Sequence, residues 1–523
     1  MVMGSSPLEL QAFRNRLRDL EDDYNGLHGA PPVPRERPFE PRRLLAGTFL
    51  ALILAGWALL NTPWAQASGH WAWELPGQAF SWQHCWRVLL DNLFTATSAS
   101  CVTGLTVVDI PQVYSTFGHA VVLICIQLGG LSLLTLGTMI VSLLLGRVTV
   151  GGEQQMMLSY GAASSERAHN LLWQTIRYVL TFEFVGAGLL FVRYFFHHGY
   201  TLGKSAWYAV FHAVSAFCNA GISLHPNNLV DLEGDLPYAI VIALLVIFGG
   251  LGFIVLANVF QYHFWRRDLR RRGRISLHSR IVLWSTAGLI VGGGLLFTIL
   301  EWNASLGAQG AFKSLWEALI GGDWQAALDA TNFILSKVTS GITQAAMFRT
   351  AGFNLVDMEA ITPPSNLLSV ILMLIGGSPG SMAGGIKTTT LIVIILTIRA
   401  YIRGNPDVQI HRRTLSNAIT REAMVIVFFY LSVVFLFYFI LLLSEKSLVA
   451  ARGDFVLFYE VSSAFGTVGT SLNATSSLSA LGRGLIALAM FLGRIGPISL
   501  ALMMADRGLT HHVSYPEETI TVG

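Results

Sequence analysis

Long uncharged apolar runs alternate along the chain with shorter charged segments. A helix needs about 20 apolar residues to cross the hydrocarbon core of a membrane. Charge-free runs of that order cover 120–146, 236–262, 281–300 and 423–443. Weaker or interrupted runs cover 44–60, 178–192, 366–398 and 484–505, and the last three of these contain Glu183, Lys387 and Arg494. The pattern predicts about eight membrane-spanning helices.

Composition supports the same interpretation. The chain has 523 residues, of which 53% are hydrophobic and 12% are charged, and its mean hydropathy is +0.55. Soluble domains carry about 25% charged residues, so the polar surface of a water-soluble fold is missing. The net charge of +3 gives no basic field for nucleic acid. Four cysteines, with no CxxC pair, argue against a disulfide framework or a Cys-type metal site. The composition indicates an integral membrane protein. No Walker, HExxH or CxxC motif is present, so the chain is not predicted to be an enzyme.

Basic residues are concentrated in alternate connections between the apolar runs. The segments 1–43, 147–177, 264–280, 399–421 and 506–523 hold 23 of the 34 Lys and Arg residues. The positive-inside rule places these segments, and both termini, in the cytoplasm. The run Arg266–Arg274 is interpreted as a topology determinant that contacts lipid headgroups, with docking of a cytoplasmic partner as the alternative. Because no signal-peptide pattern is found, the expected location is a bacterial plasma membrane.

Four short glycine-bearing segments lie between the predicted spans. These glycine segments are SASCVTGLT (98–106), SAFCNAGIS (215–223), AMFRTAGFN (346–354) and SAFGTVGTS (463–471). Each interval between their aligned glycines contains two apolar runs. The chain is therefore predicted to be an all-α membrane protein with four tandem helix–pore loop–helix repeats around a central ion pore. The predicted repeats cover 44–146, 170–263, 280–400 and 422–505, between the cytoplasmic segments 1–43 and 506–523.

Backbone carbonyl oxygens of the glycine segments can replace the hydration shell of a cation. Irregular backbone is tolerated at membrane depth where it lines water, and glycine adopts positive φ at low cost. The predicted filter residues are Val102, Thr103, Gly104, Asn219, Ala220, Gly221, Thr350, Ala351, Gly352, Thr467, Val468 and Gly469.

Charged residues near the glycine segments have more than one interpretation. Arg349 is expected to point behind the filter and to pair with a buried acid or with carbonyls. Glu183 and Glu460 are expected to satisfy neighbouring donors, such as Arg349 or backbone N–H groups. Asp109 and Asp357 each lie five residues beyond a filter glycine, and they either make the outer mouth negative or serve as capping residues.

The arrangement over about residues 44–505 resembles the Trk/Ktr/HKT superfamily of potassium transporters. The resemblance is carried by Thr467-Val468-Gly469, which looks like a reduced potassium-channel filter, and by GGSPGSMAGGIKTTT (376–390) and GRIGPISL (493–500). The last two segments are most similar to the bacterial Ktr-type pore-forming subunit. The resemblance implies potassium uptake, with the potassium ion as substrate and no cofactor. It also implies a homodimer with one pore per protomer, gated by a cytoplasmic ring of nucleotide-binding (RCK-type) regulatory subunits.

The segment 376–387 interrupts the closing helix of the third predicted repeat. Glycine costs about 1 kcal/mol and proline about 3 kcal/mol relative to alanine in a helix, so a continuous helix is excluded here. Small residues also occur where membrane helices touch, so a packing kink is one interpretation. The other, which the resemblance favours, is a movable gate below the filter. The predicted gate residues are Gly376, Gly377, Gly380, Gly384, Gly385, Lys387 and Arg494.

Arg494 has two interpretations of its own, because a charge near mid-membrane is costly and marks function by default. It is either a positive charge at a constriction of the pore, as the resemblance implies, or a snorkelling or interhelical group. For the whole chain, two alternatives remain: a sodium-permeable or sodium-coupled cation transporter of the same superfamily, and a broken-helix secondary transporter. The latter folds usually repeat twice with inverted topology, so four segments of the same sense argue against them.

Overall fold

The computed structural model describes residues 41–74, 81–131, 165–232, 234–261, 275–304, 308, 310–321, 323–405, 407–410 and 413–496. Several sequence predictions lie outside the described residues. They are residues 1–40 of the predicted cytoplasmic segment 1–43, the predicted segment 506–523, the basic run at 266–274, and the second half of the apolar run 120–146. The described residues from Arg42 onward form one compact unit.

The described chain is mostly helical. The helices are α1 Pro41–Leu60, α2 Trp82–Ser100, α3 Ile110–Val113, α4 Thr116–Gly130, α5 Ser165–Phe196, α6 Leu202–Phe217, α7 Leu236–Leu251, α8 Phe253–Gln261, α9 Leu277–Glu301, α10 Ala311–Gly321, α11 Trp324–Met347, α12 Pro363–Leu374, α13 Thr388–Ile402, α14 Asn417–Ser444, α15 Lys446–Arg452, α16 Phe455–Gly466 and α17 Ala480–Ile495. Two short strands, β1 Gln409–Ile410 and β2 Arg413–Thr414, form an antiparallel hairpin between α13 and α14. This hairpin is the exception to the all-α prediction.

Helix length separates the predicted spans into two groups. Within the described residues, α5, α9 and α14 each contain a stretch long and apolar enough to cross a membrane. The helices α7 and α8 form a fourth candidate, bent by 99° at Gly252, whose φ is +82°. The apolar run 236–262 therefore does not form one straight helix. The other apolar helices are shorter, so the total of eight spans stays a prediction.

Buried acidic and polar groups fix where several helices begin. Thr362 precedes α12, and both its N–H (2.8 Å) and its hydroxyl (2.6 Å) donate to the carboxylate of Glu301 at the end of α9. Ser479 precedes α17, and its N–H (3.2 Å) and hydroxyl (2.5 Å) donate to Glu445 at the end of α14. These contacts satisfy N–H groups that have no partner inside the helix. They also fix one end of each later helix against an earlier one.

The C-terminal parts of the helices α2, α6, α11 and α16 pack in the interior of the molecule. The helix α4 packs against α6, α7 against α11, α12 against α16, and α17 against α2. Each of the four predicted repeats therefore contacts the next one, and the fourth contacts the first. The final turns of the four inner helices are buried, as at Ser98–Ser100 and Ser462–Gly466. The last carbonyls of a helix lack partners within it, so this arrangement brings the carbonyl ends of four helices to one place.

Candidate functional site

The four inner helices α2, α6, α11 and α16 all end with the same reversal of the backbone. In the described chain, six non-glycine residues have positive φ, and four of them lie two positions before the aligned glycines. These four are Val102 (55°), Asn219 (62°), Thr350 (70°) and Thr467 (50°), and the glycines that follow are Gly104 (95°), Gly221 (65°), Gly352 (70°) and Gly469 (99°). Left-handed backbone is unfavourable for residues with a Cβ, so tertiary packing imposes this conformation.

Three of the four helices end in a Schellman motif. The N–H of Thr103 donates to the Ser98 carbonyl (2.8 Å), that of Ala220 to Ser215 (2.7 Å), and that of Val468 to Ser463 (2.9 Å). In this motif a left-handed residue lets two N–H groups turn back onto the last helical carbonyls. The backbone N–H groups of these segments are thereby satisfied by their own helix. The carbonyl groups that follow are left for other partners.

The serines of these helix ends also bind the aligned glycines. The hydroxyl oxygens of Ser98 and Ser463 accept hydrogen bonds of 3.0 Å from the N–H groups of Gly104 and Gly469. In the second segment the hydroxyl of Ser215 instead donates to the carbonyl of Ile222 (2.7 Å). Each serine thus ties the outgoing chain to the helix that precedes it.

The third segment departs from this pattern. Ala346 stands where the other segments have serine, and the N–H groups of Ala351 (3.0 Å) and Gly352 (3.2 Å) both donate to the Met347 carbonyl. Arg349 is buried, and its Nη2 donates to the carbonyl of Gly376 at 3.1 Å. The prediction that Arg349 binds buried carbonyls is therefore confirmed.

The four aligned glycines contact one another in a closed ring, which we call the glycine ring. A Cβ built on Gly104 would overlap the carbonyl oxygen of Ala220, and one on Gly221 would overlap that of Ala351. A Cβ on Gly352 would overlap the carbonyl oxygen of Val468, and one on Gly469 that of Thr103. Each glycine thus touches the residue before the glycine of another segment. The structure therefore brings together eight of the twelve predicted filter residues, the four glycines and the residue before each, and only glycine fits at the four ring positions.

A cavity of about 610 Å³ opens onto the glycine ring. We call it the mouth cavity. Three of the ring glycines line it, together with Asp109, Asp357 and Glu359, and the Glu359 carboxylate forms an ion pair with Arg452 at 3.0 Å. Burial raises the pKa of the Asp109 carboxyl above its ordinary value. Asp109 and Asp357 thus line the entrance, as one of their two interpretations predicted, although Asp109 also precedes the short helix α3.

Residues 375–387, which we call the break loop, separate α12 from α13. The N–H of Ser378 donates to the Gly250 carbonyl (3.1 Å), and that of Met382 to the Gly249 carbonyl (3.3 Å). In return, the N–H of Phe253 donates to the Gly380 carbonyl (3.1 Å). The break loop therefore binds the free backbone groups at the bend between α7 and α8.

The break loop also contacts the glycine segments directly. A Cβ on Gly384 would overlap the Thr467 side chain and lie 3.1 Å from the Gly466 carbonyl oxygen. A Cβ on Gly376 would overlap the Gly384 carbonyl oxygen within the loop itself. Gly380 and Gly385 have positive φ, at 71° and 67°. Close approach and backbone reversal therefore explain the glycines that sequence analysis selected here.

Arg494 links the break loop to another part of the chain. Its Nη1 donates to the Met382 carbonyl in the loop, and its Nη2 donates to the carbonyls of Gly129 (2.5 Å) and Gly130 (3.4 Å) at the end of α4. Lys387 donates to the Ala383 carbonyl at 2.7 Å. The two cationic residues of the predicted gate thus bind backbone carbonyls of the break loop and its neighbours.

The buried glutamates accept hydrogen bonds from polar side chains. Glu460 binds the hydroxyls of Ser471 and Thr475, the latter at 2.6 Å, and these donors replace the Arg349 partner that was considered. Glu183 accepts from the side-chain amide of Gln127 at 3.2 Å. Glu460 thereby supports the chain beyond the fourth ring glycine.

Sequence analysis did not recognise a second recurrent set of glycines, although it selected two of its members, Gly376 and Gly377, as gate residues. Pairs or single glycines begin 24 to 28 residues after each ring glycine, at Gly129-Gly130, Gly249-Gly250, Gly376-Gly377 and Gly493. A Cβ on Gly129 would overlap the Ser100 carbonyl oxygen, and one on Gly493 would overlap that of Phe465. These glycines let the later helices approach the ends of the inner helices. Arg494 follows Gly493 and so stands where the other three members of this set have their second glycine. The spacing along the sequence is enough to show this correspondence.

Apolar spans around four converging buried segments define a multi-pass membrane transport protein. A family model described as "TrkH: Cation transport protein" matches residues 68–317 and 326–508. The chain belongs to this family, whose members are ion transporters and not enzymes. The resemblance to Trk/Ktr-type transporters is thereby confirmed.

Curated relatives are similar in sequence over most of the chain. The chain is 31% identical to the potassium/sodium uptake protein NtpJ of Enterococcus hirae, over 92% of this chain and 97% of that protein. It is 32% identical to the Ktr system potassium uptake protein B of Vibrio alginolyticus, over 92% and 95%. The crystal structure of the potassium transporter TrkH from Vibrio parahaemolyticus shares the fold, with a TM-score of 0.59 at 15% identity, over 90% of this chain and 87% of that one.

Proposed function

We propose that this chain is the pore-forming subunit of a potassium uptake system, and that the glycine ring is its selectivity filter. The observation that carries the proposal is the closed cycle of contacts among Gly104, Gly221, Gly352 and Gly469. The relatives named as potassium uptake proteins supply the identity of the ion.

The chemistry of the filter follows from the direction of its backbone groups. In the first and fourth segments the N–H groups up to the ring glycine are bound to the preceding helix, and in the second segment those of Asn219 and Ala220 are, so carbonyl oxygens are the groups available to a cation on the axis. A ring of carbonyl dipoles can replace a hydration shell without any charged side chain. Carboxylates of Asp109 and Asp357 in the mouth cavity raise the local cation concentration.

The architecture that goes with this function is four tandem units of the same sense. The units are the predicted repeats 44–146, 170–263, 280–400 and 422–505, with about eight spans and both termini in the cytoplasm of a bacterial cell. The cyclic packing of later helices on inner helices supports this division.

The break loop is proposed to be the gate of this pore. It lies directly against Thr467 of the ring through Gly384, and few hydrogen bonds hold it to the bend after α7. Arg494 and Lys387 bind its carbonyls, so both cations stabilise one position of the loop. Movement of the loop away from Thr467 would open the path below the ring.

Partner subunits belong to the same proposal. Three relatives are named as proteins of a Ktr system, which supports an assembly of several subunits. The proposed assembly is a homodimer in the lipid membrane, regulated by a cytoplasmic ring of nucleotide-binding RCK-type subunits.

The variant Gly469→Ser tests the filter. A side chain at this position would overlap the Thr103 carbonyl oxygen at a φ of 99°, so the ring must distort. In a strain that lacks other potassium uptake, we expect weaker potassium selectivity and stronger competition by sodium. Gly484→Ser is the matched control, because a Cβ on Gly484 has no atom within 4 Å.

Two outcomes would contradict the proposal. Wild-type selectivity in Gly469→Ser would exclude the glycine ring as the filter. A wild-type protein that prefers sodium would favour the sodium-transporting alternative, to which the name of the Enterococcus hirae relative gives some support.

A further inference from the structure

The side chain of Asn228 reaches two carbonyl groups of the glycine ring. Its Nδ2 donates to the carbonyl of Gly221 at 3.4 Å and to that of Gly352 at 3.3 Å. Gly221 and Gly352 belong to different segments that touch each other in the ring. One side-chain amide therefore joins the second and third segments at the face that opens into the mouth cavity, where Asn228 is a lining residue.

The orientation of this amide is determined by its other partner. The Oδ1 of Asn228 accepts from the N–H of Asn354 at 3.4 Å, and the N–H of Leu229 donates to the Asn354 carbonyl at 3.2 Å. If the amide were flipped, its Oδ1 would face the carbonyl oxygens of Gly221 and Gly352, and no donor would lie between them. The donor group of Asn228 must therefore point at the ring.

The backbone of Asn228 is anchored to the end of the second glycine segment. The hydroxyl of Ser223 donates to the Asn228 carbonyl at 3.3 Å, and the same hydroxyl lies 3.1 Å from Nε2 of the buried His212. Asn228 has a φ of 57°, which asparagine tolerates better than most residues. The contact with Ser223 thus restrains the backbone of Asn228, and its side-chain amide acts on the ring as a fixed donor.

The Asn228 amide, which bridges the carbonyls of Gly221 and Gly352, makes the ring asymmetric. Among the described hydrogen bonds, no side chain donates to the carbonyls of Gly104 or Gly469. Two neighbouring carbonyls at the mouth are therefore restrained by a donor, whereas the other two depend on their own backbone. The spacing of the coordinating oxygens is what distinguishes cations of different radius in such a ring.

We propose that Asn228 is a specificity-determining residue, which fixes the separation of the Gly221 and Gly352 carbonyl oxygens at the mouth of the filter. This inference rests on the proposed filter function. Without the bridge, the two oxygens move more freely and adapt to a smaller ion. Sodium then competes better with potassium, whereas the path below the ring is unchanged.

The test compares potassium uptake and its inhibition by sodium in cells that express the full-length chain. Asn228→Gly removes the amide and keeps the left-handed backbone. Asn228→Asp keeps the size and replaces the donor by an acceptor. The matched control is Asn473→Gly, because Asn473 has a φ of 59° and lines the same cavity, whereas its side chain makes none of the described ring contacts.

We expect the potassium-to-sodium preference to fall about two- to tenfold in Asn228→Gly, the range of one neutral hydrogen bond. Asn228→Asp should lower it at least as much, and Asn473→Gly should leave it unchanged. Thermal unfolding of the purified variants identifies any loss of folding. If one Asn228 variant is unfolded, the potassium-to-sodium preference of the other variant tests the inference.

Unchanged preference in the folded Asn228 variants would overturn the inference, as would an equal change in Asn473→Gly. The variant Gly469→Ser is measured in parallel. If it alters selectivity while the Asn228 variants do not, the filter proposal stands and the role of Asn228 falls. If it leaves selectivity unchanged, the filter proposal itself fails.

Discussion

Removal of the Arg494 side chain should free the break loop. Its guanidinium donates to the Met382 carbonyl on one side and to the Gly129 and Gly130 carbonyls on the other. The residue thus connects the loop to the end of α4. In Arg494→Ala the loop keeps its backbone hydrogen bonds to the bend after α7, but it loses this connection. We expect faster potassium transport.

The size of the effect follows from the contact with Met382. A hydrogen bond from a charged donor contributes about 1.5–3 kcal/mol. If only the closed loop makes this contact, its loss shifts the equilibrium toward the open loop by the same amount. Since each 1.36 kcal/mol corresponds to a tenfold change, flux should rise by about 10- to 150-fold where loop opening limits the rate.

Arg494→Lys separates two mechanisms. If the positive charge alone repels ions in the pore, the lysine variant should transport at the wild-type rate. If the guanidinium holds the loop by binding both sides, the lysine variant should lie between wild type and alanine, because one ammonium group reaches only one of the two sites.

The assay is potassium flux into proteoliposomes that contain equal amounts of folded protein, checked by thermal unfolding. Folded Arg494→Ala with wild-type or lower flux would refute the reasoning. Arg494 would then be a structural partner between helices, and the barrier would have to lie elsewhere.

Three other predictions concern the loop, the mouth and the fold. Deletion of residues 378–384 should raise potassium flux and make it largely independent of a regulatory partner, since the deletion removes the segment against Thr467; a folded deletion variant that is no faster would favour the packing kink. Uptake at low ionic strength should fall as the pH is lowered, and it should fall at a higher pH than an ordinary aspartate implies, because burial raises the pKa of Asp109. Asp109→Asn should remove that part of the pH profile, and a profile identical to wild type would contradict this role. Glu445→Ala should lower the free energy of unfolding by about 1–3 kcal/mol, because the N–H and hydroxyl of Ser479 lose their acceptor. The control in thermal unfolding is Glu422→Ala, because Glu422 is an exposed residue of α14. An equal loss in the control would contradict the argument.

The amino-acid sequence by itself determined the class of the protein. Apolar runs, scarce charges and recurrent glycines follow from what a membrane and a close backbone approach require of residue types. The positions of the four ring glycines and of the break in the third unit could therefore be predicted. The second glycine set at Gly129, Gly249 and Gly493 was also present in the sequence, but its meaning depends on which helix end each glycine meets.

Only the tertiary structure decided which groups are partners. Arg494 binds Gly129, 365 residues away, and Asn228 binds Gly352, 124 residues away. The bend at Gly252 lies within an uninterrupted apolar run, so hydropathy does not reveal it. Periodicity and composition describe the environment that a segment needs. A hydrogen bond between distant segments depends on the path of the whole chain, and only packing brings its donor and acceptor within reach.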